Sequence, residues 1–451
     1  MKSVAILGGG ISGLSAAYYL ACLSPRTCIT LFESSSRLGG WIQTTTTNGV
    51  KFELGPRTLR PEENAVQLLR QLHLQDQVVK ISKSHPAAQN RFIWYKDRLC
   101  KLPHSLASII LNYKMPVLAG LASVFLEPFQ PRSNLEDQSL HDFISRRFDP
   151  RIASNLVSAV IGGVYAGDTT KLSVRSTFPS LWNYEREHGS VIKGMLKATS
   201  KTIQGFEDTS IYSFKDGMQT LPDRLTETLR NISTVDIKTS TEVKHIARSF
   251  SGIDVNGKSF SHVISAFPCL SQARLVPCFP RLPTVSVHVI NLYYSTENLV
   301  PVDGFGYLVP SSEPNPECLL GVIFDSAIFP GGTKLTIMMG GYHYDTVDRI
   351  PDDEQVTRRS LAVIKQQLGI KRQPDIINIS YHKDCIPQYH VGYWKKMKET
   401  HGRILEEYDG RLSVIGNSVA GVGINDCIRG AKTMVENLAK GNRITGLESC
   451  F

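Results

Sequence analysis

Near its start the chain runs Val4-Ala5-Ile6-Leu7 and then Gly8-Gly9-Gly10-Ile11-Ser12-Gly13, and this is the pattern that most restricts its fold. The apolar run reads as a buried strand, and Ile11, Leu14, Ala17 and Tyr18 form the apolar stripe of a helix. Gly8, Gly10 and Gly13 meet the G-x-G-x-x-G spacing. The first permits a tight turn, the second lets backbone approach a pyrophosphate, and the third lets helix pack on strand. The helix N-terminus, with Ile11 and Ser12 in its first turn, faces negative charge. A second apolar run, Cys28-Ile29-Thr30-Leu31-Phe32, ends at Glu33, roughly 20 residues past the last glycine. A carboxylate there accepts both hydroxyl protons of an adenosine ribose. The expectation is a βαβ dinucleotide site, against a plain glycine turn that the spacing alone leaves open.

A chain of 451 residues exceeds one ordinary core and divides into two or three domains. Apolar content of 41% and charged content of 20% exclude a disordered chain. The formal charge is +9, yet no Lys/Arg block is dense enough to imply nucleic acid. Nine scattered cysteines without C-x-x-C predict reduced thiols rather than a disulfide framework, and no cluster has metal spacing. The first strand begins next to Met1, which leaves no room for a leader before the fold starts, so any targeting is expected to be internal. No apolar run reaches the length of about 18 residues that a transmembrane helix needs. From Leu102 to Leu126 two amphipathic segments, broken by Lys114 and Pro116, read either as core helix or as a helical face dipping into one leaflet.

Along the chain, Thr44–Thr47 reads as a hairpin or loop, Glu62–Leu74 as helix, and residues near 92–200 as mostly helical. Strand-like runs return at 211–214, 235–237, 241–246 and 263–266, and a second sheet is implied from about 284 onward. Near the end, Leu412–Asn417 and Gly421–Asn425 lead into a helix from about Asp426 to Lys440, again strand, glycine turn and helix. Such a late turn can set backbone N–H groups beside a flavin's pyrimidine carbonyls. The predicted class is therefore α/β with an α+β second domain. It comprises a discontinuous Rossmann-like cofactor domain (1–84, 210–270, 405–442), a helical domain (92–200), membrane-associated on the leaflet reading of its apolar segments, and a sheet-based substrate domain (85–91, 271–404).

Residues 1–60 resemble the flavin-dependent amine oxidase and protoporphyrinogen oxidase superfamily, through the fingerprint, Glu33 and Arg37-Leu38-Gly39-Gly40-Trp41. Several later segments are similar to the protoporphyrinogen oxidase family in particular: Phe52–Arg57, His85–Phe92, Gly163–Asp168, Ser176–Leu181, Gly304–Pro310 and Cys385–Tyr389. They follow the family's order and span roughly residues 3–440. The resemblance implies one non-covalent FAD per chain. It places Arg37 near the pyrophosphate, and Gly39, Gly40 and Trp41 near the flavin, with Ser34 beside Glu33. Gly55, Pro56, Gly416, Gly421, Val422, Gly423 and Ile424 are implied as further cofactor contacts, and Val243 as a strand residue whose backbone meets adenine. A departure is Asp216-Gly217, where the family often has a glycine pair before the helix that starts at Met218.

For activity, the resemblance implies six-electron oxidation of protoporphyrinogen IX with molecular oxygen as acceptor, the cofactor carrying the hard chemistry. Arg91 is implied as the grip on a propionate, since guanidinium matches carboxylate bidentately. By the same resemblance Phe305, Leu308 and Met338 match positions that line the macrocycle slot, though without the family all three read as core. Arg57, held after Gly55-Pro56, is the candidate catalytic residue for flavin and substrate electrostatics, and no residue stands out as a general base. A homodimer, peripherally attached to the mitochondrial inner membrane on its intermembrane-space side, completes the implied picture. Competing readings are another flavin amine oxidase, for which Cys427 invites comparison with a flavin-attached cysteine, a carotenoid-type desaturase, or a non-catalytic escort protein for small GTPases with the same fold.

Overall fold

The glycine turn sits at the carboxyl end of the middle strand of a five-stranded parallel sheet, ordered Leu412–Val414, His262–Ser265, Ser3–Leu7, Cys28–Phe32, Val235–Lys238. These elements come from a computed structural model that describes residues 2–103, 120–198, 202–250, 252–419 and 421–451. The chain leaves Ser3–Leu7 for the strand on one side and much later supplies the strand on the other. That reversal makes the carboxyl end of Ser3–Leu7 a topological switch point, where open parallel sheets bind ligands. Val4 to Leu7 are fully buried, as a strand inside a parallel sheet requires.

Two compact units result, one of Met1–Lys80, Ile211–Leu282 and Trp394–Phe451, the other of Ile81–Ser210 and Pro283–Tyr393. In the first, the Ile11–Leu23 helix packs against the Thr220–Arg230 and Ile424–Ala439 helices. Residues 44–53 form a hairpin, and its Glu53 carboxylate accepts from Thr44 Oγ1 and the Met218 N–H at 3.0 and 2.8 Å. The helix read as starting at Met218 begins at Thr220. The helix read over Glu62–Leu74 spans Glu63–Gln71, because the Glu62 side chain caps Asn64 and Ala65 N–H groups. The strand read over 241–246 is a correction: only Ile246–Arg248 pairs as a ladder, and Val243 lies in irregular backbone tied to the Glu33 carbonyl through the Thr241 N–H.

The second unit is built on a seven-stranded sheet, ordered Ile376–Pro387, Thr284–Tyr294, Thr333–Gly340, Leu319–Phe324, Gly306–Leu308, Phe92–Tyr95, Arg98–Lys101. Its last two strands correct the mostly helical reading of 92–200. They form a tight hairpin whose turn residues Lys96 and Asp97 both take positive φ. Strand periodicity sorts the sheet's faces. Ile290, Leu292, Tyr307, Ile337 and Met339 pack with Val356, Val363 and Ile364 of the Asp353–Leu368 helix. Val285, Val287, Val289, Leu320 and Met338 share the other face with Ala166. Most of the apolar stretch Leu102–Leu126 lies outside the described residues; Phe125 and Leu126 at its described end, and Phe129 just past it, are exposed. Among the described residues no helix is long and apolar enough to cross a membrane.

Candidate functional site

Glycines build the floor of a cleft of about 600 Å³ in the first unit. Gly8 has φ +106°, and a Cβ there would press on the Ala266 carbonyl at 2.9 Å. A Cβ on Gly13 would overlap the Gly8 carbonyl, so this residue stands behind the wall and lets the helix meet the strand. Gly10 and Gly39 form a parallel bridge, with the Gly39 N–H donating to the Gly9 carbonyl at 2.8 Å. A Cβ on Gly40 would come within 3.0 Å of Gly10 Cα. Two glycine loops thus meet backbone to backbone. Gly10 is the N-cap of the Ile11–Leu23 helix and no side chain caps it, which leaves the first-turn N–H groups facing the cleft.

Acid and base are arranged around this floor. Glu33 accepts the Gly9 and Ser35 N–H groups, both at 2.8 Å, which fixes its carboxylate at the cleft edge beside Ser34. Arg37 lines the cleft, but its fork donates to its own loop: Nη1 to the Leu38 and Ile42 carbonyls at 3.0 and 2.9 Å, Nη2 to Gly40. Burial lowers its pKa from the usual arginine value, against the pull of Glu33 and Asp223. The side chain shapes the Gly39–Gly40 turn directly. Gly416, Asn417, Val422, Ile424 and Cys427 line the same cleft, with Gly416 and Gly421 both at φ +121°. Burial pushes the Cys427 thiol up to about 11, so it is no thiolate nucleophile at neutral pH. The donors and glycine cradles that line this cleft fit a dinucleotide.

In the second unit Arg91 and Phe305 are neighbours, the guanidinium carbon 5.9 Å from the ring centroid. The Phe305 N–H donates to the Asn90 carbonyl at 3.1 Å, which ties the two segments together. Leu308 and Met338 are half-buried on the sheet face away from the Asp353–Leu368 helix, while their neighbours Tyr307 and Met339 are core. The sequence pattern alone did not separate lining from core, because both alternate positions are apolar.

Residues 11–439 match the family described as flavin containing amine oxidoreductase. The chain belongs to this family. Protoporphyrinogen oxidase of Schizosaccharomyces pombe is 34% identical over 97% of this chain and 98% of its own length. The Homo sapiens protein of the same name is 35% identical over 96% and 97%. Among solved structures, one assigned as a protoporphyrinogen oxidase from Exiguobacterium sp. 255-15 superposes with TM-score 0.80 at 23% identity, covering 98% of this chain and 99% of that one. The fold is therefore that of the flavin amine oxidases, and the family implies FAD as cofactor.

For a flavin amine oxidase cleft, most of the residues singled out in the sequence come together. Gly8, Gly10, Ile11, Ser12, Glu33, Ser34, Arg37, Gly39, Gly40, Trp41, Pro56, Val243, Gly416, Val422 and Ile424 all line it. Gly55, Arg57, Gly421 and Gly423 do not. A Cβ on Gly55 would overlap the Trp41 carbonyl, so Gly55 lets the 52–57 segment pack against the Arg37 loop. Arg57 is buried, with its carbonyl accepting from Ser213 Oγ at 2.8 Å. Missed entirely was the wall Pro268, Ser271, Arg274 and Leu275. It follows His262–Ser265, and only the parallel pairing of that strand with Ser3–Leu7 brings it to the cleft.

Proposed function

We propose that this chain is an FAD-dependent oxidase that converts protoporphyrinogen IX to protoporphyrin IX in haem biosynthesis, with molecular oxygen as electron acceptor. The observation that carries the reading is one cleft lined both by the Gly8 turn and by the Gly416–Ile424 turn, as a long dinucleotide requires. Full-length likeness to protoporphyrinogen oxidases supplies the substrate class. When bound, FAD would supply two-electron oxidation of the porphyrinogen, hydride from a meso carbon with a pyrrole N–H proton lost to solvent, and reoxidation by oxygen to peroxide. The chain's own residues bind and orient. First-turn N–H groups at Ile11 and Ser12 take the pyrophosphate, and Glu33 takes the adenosine ribose. Arg91 pairs with a propionate while Phe305, Leu308 and Met338 offer apolar surface to the ring. The raised Cys427 thiol supports non-covalent FAD over the cysteine-linked alternative.

Peripheral attachment to the mitochondrial inner membrane from the intermembrane space, as a homodimer, is part of the same proposal. Exposed Phe125, Leu126 and Phe129 support the lipid contact. To test the function, the purified yellow protein is mixed with reduced porphyrinogen in air while porphyrin fluorescence and peroxide are followed. A rate no greater than spontaneous oxidation would refute it. A colourless protein would point to the escort-protein reading instead.

A further inference from the structure

Two of the family-like segments, Gly163–Asp168 and Cys385–Tyr389, have no part in the function as stated, and the fold brings them into contact. Gln388 is 3% exposed, and its Nε2 donates to the Tyr165 carbonyl at 2.9 Å and to the Ile386 carbonyl at 3.2 Å. Tyr165 ends the Ser158–Tyr165 helix, whose last carbonyls have no partner within the helix. Ala166, at φ +48°, reverses the chain, and its carbonyl accepts the Tyr342 N–H at 2.8 Å. The Gln388 amide packs against Gly167, where a Cβ would overlap its Oε1. Tyr389 stacks edge-on against Tyr165 with centroids 6.0 Å apart. One end of the helix is thereby fixed from the segments that follow two strands, Ile376–Pro387 and Thr333–Gly340.

The other consequence lies two residues earlier. A Cβ on Gly163 would stand 2.9 Å from Leu308 Cδ2, and one on Gly162 would meet nothing nearer than Leu320 at 4.0 Å. Gly163 therefore lets the helix backbone rest directly on the Leu308 side chain, with no compliant layer between them. Displacing the Tyr165 end by a few tenths of an ångström moves the surface that holds Leu308 in place.

We infer that Gln388 is a positioning residue: by holding the carbonyl end of the Ser158–Tyr165 helix it sets, through Gly163, the place of Leu308 and so the fit of the tetrapyrrole. This rests on the reading of Leu308 as a substrate contact. In Gln388→Leu, volume is kept and the donor lost. KM for protoporphyrinogen should rise about five- to tenfold, with kcat within twofold and with FAD content and flavin spectrum unchanged. Gly163→Ala pushes Leu308 from the helix side and should give the same split. Adding Leu308→Val to Gly163→Ala removes part of the crowding and should recover most of the KM. A wild-type KM in folded Gln388→Leu overturns the inference. So does a joint fall of kcat, FAD content and melting temperature in both Gln388→Leu and Gly163→Ala, since that is a purely structural role. If Leu308→Ala alone leaves KM unchanged, the substrate reading of the slot fails instead.

Discussion

Arg91 combines a charge with a ring neighbour, Phe305, in the second unit, and that pairing suits a substrate with a flat apolar body and an acidic rim. A charge-assisted hydrogen bond contributes about 1.5–3 kcal/mol, so Arg91→Ala should raise KM for protoporphyrinogen roughly ten- to hundredfold. FAD content should stay at wild-type level. Arg91→Lys should recover only part of the loss, because the ammonium gives up the bidentate fork. Steady-state kinetics at saturating oxygen separate these outcomes. At Cys427 the prediction concerns chemistry that does not happen. With the thiol held near 11 by burial, acid denaturation should release all the FAD, leaving the chain at its unmodified mass in intact-protein mass spectrometry. Any chain carrying the added mass of flavin contradicts this. Some residues were legible from the sequence and others were not, for a physical reason. Gly8, Gly13 and Glu33 act through spacing, which a sequence displays. Arg37 acts through the carbonyls of Leu38, Gly40 and Ile42, and carbonyls look alike at every position.

Among the elements, His262–Ser265 places a histidine between Ser3–Leu7 and Leu412–Val414, where it is 3% exposed. Ser413 Oγ donates to the Ile444 carbonyl at 2.7 Å, so it accepts from the His262 Nε2–H at 3.0 Å. Burial drops the His262 pKa from 6.5 to about 4. The unfolded chain therefore binds the extra proton first. Stability is complete above about pH 6.5, falls as pH drops towards 4, and by then has lost about 3 kcal/mol from this group. Urea midpoints measured at pH 7.5 and pH 5 should diverge more for the wild type than for His262→Gln, which keeps a donor and cannot be protonated. Equal divergence removes His262 as the cause. This strand was legible because Val263-Ile264-Ser265-Ala266 is a short apolar run before Phe267-Pro268. The segment at Val243 was misread as strand because alternating Thr241, Val243 and His245 imitate a ladder that no strand among the described residues completes. The Phe92–Lys101 hairpin was missed because its two strands are only four residues each, too short for periodicity to separate from helix.

At the scale of the molecule, the first unit is assembled from three stretches of chain, 1–80, 211–282 and 394–451, and each contributes lining to the one cleft. A ligand in that cleft therefore touches segments that the chain itself connects only through long excursions. Closing such excursions costs entropy that grows slowly with their length, and the ligand helps hold them closed. Binding to the folded state alone adds stability by mass action, about 2.7 kcal/mol when free FAD is at one hundred times its Kd. For a unit of this size that corresponds to a rise of about 5–10 °C in melting temperature. The deflavinated protein should melt lower by this amount, recover on addition of FAD, and not respond to FMN, which lacks the adenosine proposed to bind where Glu33 and residues 241–243 line the cleft. A melting temperature indifferent to FAD would separate the two ends of the chain functionally and leave the Gly416–Ile424 turn as packing. An equal response to FMN would keep the flavin but deny the adenosine end. Recovery with FAD alone requires both ends of the cleft at once, which is what a dinucleotide spanning the Gly8 turn and the late turn imposes.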